Sequence, residues 1–178
     1  MSIFKGTKKG KGGSLTQKLV FYTGSEYDYF SHDSLIEKMS EHKGIDHSEK
    51  LQKMWLFQRP LSEWQRTQLV WNHQFVVIDL PGWYWSLERE GETLLLQKNV
   101  KYTVVKDYEE GCPRYAPVVE IKHGYCKGTV KNLIEFLYRK GELKTKYNWM
   151  FNNCKTFANS VFNEFVVEGT VERALNFL

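Results

Sequence analysis

Apolar positions change their period along the chain. From Trp55 the segment WLFQRPLSEWQRTQLVWNHQFVVIDLPGWYWSLEREGETLLLQKNVKYTVV is dense in aromatic and β-branched residues and is punctuated by Pro81-Gly82 and by Gly91. That texture predicts three antiparallel strands, HQFVVIDL, WYWSLERE and ETLLLQKN, joined by tight turns. The loop KDYEEGCPRYAPVVEIKHG follows, with Gly111, Pro113 and Pro117, and leads into a further short strand expected around Val118 to Lys122. Such a Pro-bounded loop is either a lid over a cleft or an ordinary surface connection. The period then becomes helical. KGTVKNLIEFLYRKGELK predicts a helix capped by Thr129, with Val130, Leu133, Ile134 and Leu137 on one face and Gly141 as its stop. A last helix begins near Cys154 and buries Phe157, Ala158, Val161, Phe162 and Phe165.

Upstream the pattern is weaker. SEYDYFSHDSLIEKMSEHKGIDHSEK is polar and mixed in charge; SLIEKMSEH predicts a short helix with Ser34 as cap and Leu35, Ile36 and Met39 on one side. Residues 1–15 read as a flexible Gly/Lys tail. The chain of 178 residues is long enough for one buried core and short for two, so residues 16–178 are expected to form a single domain with its core at roughly 55–165. The fold class is α+β: an antiparallel sheet of four to six strands packed against a helix that bears Cys154. No internal repeat is detectable.

Charge adds little to the body of the protein. The formal +4 is concentrated in Lys5, Lys8, Lys9 and Lys11 of FKGTKKGKGGS. That tail is either a solvated leader or a weak attractor of an anionic partner, a lipid headgroup or nucleic acid. Nucleic-acid binding by the body is disfavoured, because its aromatic residues lie in patterned core segments and not along a basic stripe. No apolar stretch approaches the roughly 20 residues that span a bilayer, and no signal, myristoylation or prenylation pattern is present, so the expectation is a cytoplasmic protein without a transmembrane segment. Cys112, Cys126 and Cys154 have no metal-ligand spacing and read as free thiols, with no cofactor or metal expected. His32, His42 and His47 read as solvated and receive no chemistry.

Cys154 is the chemical question in the sequence. Asn152 or Asn153 is a good N-cap, which puts the cysteine in a first helical turn where free backbone N–H groups favour an anion. The helix dipole contributes only about 0.3–1 kcal/mol, too little to ionise a thiol near neutrality, so a histidine must supply the rest. His73 lies in a predicted strand, whereas His123 ends one at a glycine. A turn centred on Pro81-Gly82 puts His73, Phe75, Val77 and Asp79 on the face shared by Tyr84, Ser86 and Glu88, with Glu88 diagonal to His73. Either Glu88 or Ser86 can then orient the imidazole. The Cys154 N–H with a donor from Gln74 or Asn72 can form an oxyanion hole, and Asn153 adjoins it. Trp71, Trp83, Tyr84 and Trp85 either line the cleft or pack the core. The alternative is plain: a buried structural thiol and a structural histidine.

A histidine on the first strand of a meander, a polar residue on the next and an Asn-Cys opening a later helix together resemble the circularly permuted papain-like order. Lecithin retinol acyltransferase-like proteins and the wider NlpC-type peptidase superfamily have this order, and NNCKTFANSVF is similar to the Asn-Cys motif of the acyltransferase-like branch. The resemblance covers roughly Gln65 to Phe165. It implies a cysteine-dependent hydrolase or acyltransferase acting on an amide or ester of an acyl or peptide substrate, with Cys154 as nucleophile and His73 as base. Two departures stand out: acyltransferase-like members usually carry a second histidine where this chain offers Ser86 and Glu88, and VVEGTVERALNFL is too short and too charged for their C-terminal membrane helix. The competing class is a catalytically inactive interaction protein built on the same scaffold.

Overall fold

The two tight turns set the sheet. Gly82 and Gly91 both adopt positive φ, 83° and 55°, which costs glycine nothing and closes consecutive hairpins. They join β4 (Asn72–Leu80), β5 (Trp83–Glu90) and β6 (Thr93–Asn99). Phe75 faces Glu88 and Val77 faces Ser86, the register a Pro81-Gly82 turn dictates. The computed structural model describes residues 17–60, 72–114, 116–148 and 153–174, so the tail at 1–15 lies outside the described residues.

Around this meander the sheet is larger than the four to six strands expected. β1 (Lys18–Tyr22), β2 (Tyr27–Ser31), β3 (Lys53–Pro60), β9 (Val119–Tyr125) and β10 (Glu172–Arg173) extend it to eight strands in the order β10-β9-β3-β4-β5-β6-β1-β2. A separate two-residue hairpin pairs β7 (Tyr108–Glu109) with β8 (Cys112–Pro113). All sheet contacts are antiparallel except β1 with β6. The extra strands come from short segments: KLVFY has only five residues, and β2 buries only Phe30. Leu19 and Phe21 are nevertheless fully buried, so the core begins well upstream of residue 55.

Among the described residues four α-helices complete the α+β fold: α1 (Leu35–Glu41), α2 (Tyr102–Asp107), α3 (Val130–Arg139) and α4 (Cys154–Phe165). α1 buries Leu35 and Met39 while Ile36, expected beside them, is exposed. α2 begins where the pattern assigns no element and ends in the expected loop; at six residues it is too short for periodicity to reveal. In α3, Thr129 and Asn132 form a reciprocal capping box, and Gly141 leaves the helix at φ 64°. The main core lies between one sheet face and α1, α3 and α4, and includes Val76, Ile78, Trp85, Leu87, Phe157 and Val161. Phe57, Phe75 and Val77 cover the other face beneath Val105 of α2. Because both faces are covered, β4 is buried nearly throughout, and its apolar run Phe75, Val76, Val77, Ile78 does not alternate. Among the described residues no helix is long and apolar enough to cross a membrane.

Candidate functional site

The site is assembled where α4 meets the start of β4. Asn153 is extended (φ −120°, ψ 179°), and its Oδ1 accepts the Thr156 N–H at 3.0 Å, so Cys154 is the first helical residue. The apolar face of α4 packs on β4 and β5, which fixes the thiol, 5% exposed, against the end of β4. Its Sγ lies 3.9 Å from the Asn72 carbonyl oxygen, and the backbone N–H groups of Gln74 and Lys155 donate to the sulfur. Gln74 is one residue beyond the last β4–β5 pair, Phe75 with Glu88.

His73 sits between two acidic partners. Its Nε2 is 2.9 Å from Glu88 Oε2, and it is hydrogen-bonded to Cys154. With Nε2 so occupied, Nδ1 is the ring nitrogen left for sulfur. Burial works against a charged His73, but the hydrogen bonds to Cys154 and Glu88 and their charges outweigh it and push the pKa up to about 9. For Cys154, burial alone would raise the pKa; the hydrogen bond and charge of His73, helped by the two N–H donors, bring it below the ordinary thiol value. Both shifts run in the direction of a thiolate beside an imidazolium.

Behind Glu88 lies a chain of buried charges. Glu88 is fully buried, and Arg114 holds both its oxygens, Nη2 to Oε1 at 2.7 Å and Nη1 to Oε2 at 3.1 Å. Burial would push Glu88 up, but the Arg114 charge and the His73 hydrogen bond hold it well below the usual carboxylate range. The Arg114 side chain is 1% exposed, lies over the Phe75 ring at 4.2 Å and donates also to Glu109 at 2.7 Å. Glu109 accepts from Arg59 at 2.8 Å. Glu90 is pushed up to about 8, by burial and then by a hydrogen bond shared with Glu109. Donor atoms of His73, Glu88 and Glu90 lie within 4.8 Å of one another, a spacing a cation could use. Both Glu88 oxygens are already committed to Arg114 and one to His73, so a metal would have to displace those contacts.

Thus Cys154, His73 and Glu88 are brought together, and Asn72, Gln74 and Asn153 adjoin them. Ser86 is not: it is fully buried opposite Val77, and its Oγ has no partner among the described residues. Trp85 does not line a cleft; it points to the opposite face, fully buried against Phe21. Gln74 spends its Oε1 on Asn159 Nδ2 at 2.8 Å. Trp83 lies at a turn under Lys98, and Tyr84 packs on Tyr102. Trp71 and Asn152 lie outside the described residues. His123 is within β9, which is longer than expected, and bonds Glu120 at 2.6 Å. His32, His42 and His47 are half-buried and not solvated: His42 meets Asp28 at 3.1 Å, His47 meets the Met39 carbonyl at 2.8 Å, and His32 stacks on Tyr138. Arg114 was not foreseen. Its signal is indirect: Glu88, buried on β5, needs a buried cation.

No family model, curated protein or solved structure matches the chain.

Proposed function

We propose that the protein is a cysteine-dependent hydrolase or acyltransferase with Cys154 as nucleophile, His73 as acid and base, and Glu88 as orienter, in a circularly permuted papain-like order. The observation that carries this reading is the continuous hydrogen-bonded line from Cys154 through His73 to Glu88. The order of elements supports it too: the histidine strand and the acid strand precede the cysteine helix. The thiolate attacks the carbonyl carbon of an ester or amide. The S–C bond forms, and the carbonyl pair moves to oxygen, toward which the Cys154 N–H at the start of α4 can donate. Collapse expels the alcohol or amine, which takes the proton from His73. Neutral His73 then removes a proton from water or another acceptor, which cleaves the thioester and restores the pair. The three free cysteines accord with a cytoplasmic setting.

The test combines thiol reactivity with turnover. Iodoacetamide should alkylate Cys154 well below pH 8, faster than Cys112 and Cys126, and His73→Ala should move that profile toward the roughly 8.5 of a free thiol. Cys154→Ser should abolish hydrolysis of p-nitrophenyl acetate. A Cys154 that reacts only after denaturation would favour the inactive interaction protein, a reading to which the near-complete burial of Cys154 and His73, each 5% exposed, lends weight.

A further inference from the structure

The three residues that touch the Cys154 sulfur from the backbone, Asn72, Gln74 and Lys155, also line one cleft of about 420 Å³. Its floor is Leu56, Gln58 and Ile121 from the sheet, and Asn159 stands one helical turn beyond Lys155. Its remaining wall carries Lys122 of β9 and Arg173 of β10. The cleft is therefore lined by three cations and four primary amides. Among the described residues no carboxylate lines it, and none forms an ion pair with Lys122, Lys155 or Arg173.

This is an unusual charge state for a concave surface. Lys122 and Arg173 approach closely enough that burial, and then the Arg173 charge, make Lys122 easier to deprotonate. Lys122 has found a weak neutral partner, Asn163 Oδ1 at 3.5 Å, and the Phe162 ring at 4.4 Å. Like charges converging without a counter-ion are a cost, which an incoming anion removes. Elsewhere the chain neutralises its inward cations: Arg59 and Arg114 meet Glu109 at 2.8 and 2.7 Å, and Arg89 meets Glu142 at 2.8 Å. Half-buried Lys122 in this cleft has no such carboxylate among the described residues.

We infer that the substrate of the Cys154 site carries an anionic oxygen group, carboxylate or phosphate, which Lys122, Lys155 and Arg173 hold in this cleft while the adjoining carbonyl meets the sulfur. The inference rests on Cys154 being the nucleophile. The amides of Gln58, Asn72, Gln74 and Asn159 line the same cleft, and a polar linker to the carbonyl would lie against them. A neutral acyl chain would leave the three cations without a counter-ion, so specificity is set by charge at one end of the substrate and chemistry at the other.

Alkylation by matched reagents measures this without knowledge of the substrate. Iodoacetate and iodoacetamide form the same S–C bond and expel the same iodide, and differ in charge. The rate ratio, iodoacetate over iodoacetamide, should be about tenfold higher at Cys154 than at exposed Cys112 in the same sample at low salt, and should fall with ionic strength. His73 contributes to the ratio in every variant, so the decisive readout is a further drop on Lys155→Met and Arg173→Met. Both side chains are exposed, which spares folding, and Lys131→Met, on the distant helix α3, should leave the ratio unchanged. Protection of Cys154 by succinate indicates a carboxylate substrate, and protection by inorganic phosphate a phosphate one. An unchanged ratio in the cleft variants, or protection by neither anion, overturns the inference and leaves the Cys-His reading standing. A Cys154 inert to both reagents overturns both.

Discussion

Glu88 and Ser86 are two residues apart on one face of β5, yet their environments give them opposite values. Glu88 accepts from His73 and Arg114, so Glu88→Gln removes a charge on which both depend. It should shift the Cys154 alkylation profile toward higher pH, read as inactivation rate against pH, because a neutral amide stabilises imidazolium less. Ser86 holds a buried hydroxyl without a partner among the described residues. Ser86→Ala should leave that profile unchanged and raise stability by about 1 kcal/mol, measured by urea unfolding, since it deletes an unpaid desolvation. An altered profile would restore Ser86 as a participant. Spacing put both residues on the right face of the right strand. It could not choose between them, because the choice is made by Arg114, which arrives from a loop 26 positions further along the chain.

At the scale of elements, what was readable followed from local rules. The Pro81-Gly82 turn fixed the register of β4 and β5, and caps fixed the starts of α3 and α4. Asn153→Ala should cost about 1 kcal/mol in urea unfolding by removing the acceptor for the Thr156 N–H, and should loosen the turn that holds Cys154. Gly124 of β9 is a second element-scale position: a Cβ there would lie 2.5 Å from Val166 Cγ1 and 3.3 Å from the Thr170 carbonyl oxygen. Gly124→Ala should therefore destabilise by about 1–3 kcal/mol, because the segment after α4 must move off the sheet. Less legible were elements that depend on distant partners. β1 and β10 are five and two residues long and exist through strands far away in sequence, and α2 is a short turn held under the sheet.

For the whole molecule the buried charges set a pH window. His73 is raised from 6.5 to about 9, so its contribution is complete below pH 6.5 and is lost as pH rises through about 9. Glu88 is depressed, so its contribution is present above pH 4.5 and is lost only well below that, as pH falls through the depressed value. Glu90 is raised from 4.5 to about 8, and the stability of its protonated form disappears across that interval. The melting temperature should therefore be highest near pH 5 and decline toward pH 9. Glu90→Gln should flatten the decline between pH 5 and 6.5 and leave the His73 fall between pH 6.5 and about 9. Arg114→Met should cost about 3–5 kcal/mol at pH 7, since it leaves Glu88 buried with only His73 as counter-charge. A Tm within a degree of wild type for Arg114→Met would mean that solvent reaches Glu88.

The parallel pairing of β1 with β6 also governs the order in which the chain can assemble. Gln17 and Glu92, hydrogen-bonded at the end of that ladder, are 75 positions apart, and parallel strands cannot close through a hairpin. Strand β1 therefore waits, during synthesis, until β6 has left the ribosome. Until then KLVFY can pair only with β2, and its other edge and apolar face stay uncovered, exposed to wrong pairings and to chaperones. Refolding should show a slow phase that reports the burial of Phe21 against Trp85, after a faster one from the β4–β6 meander.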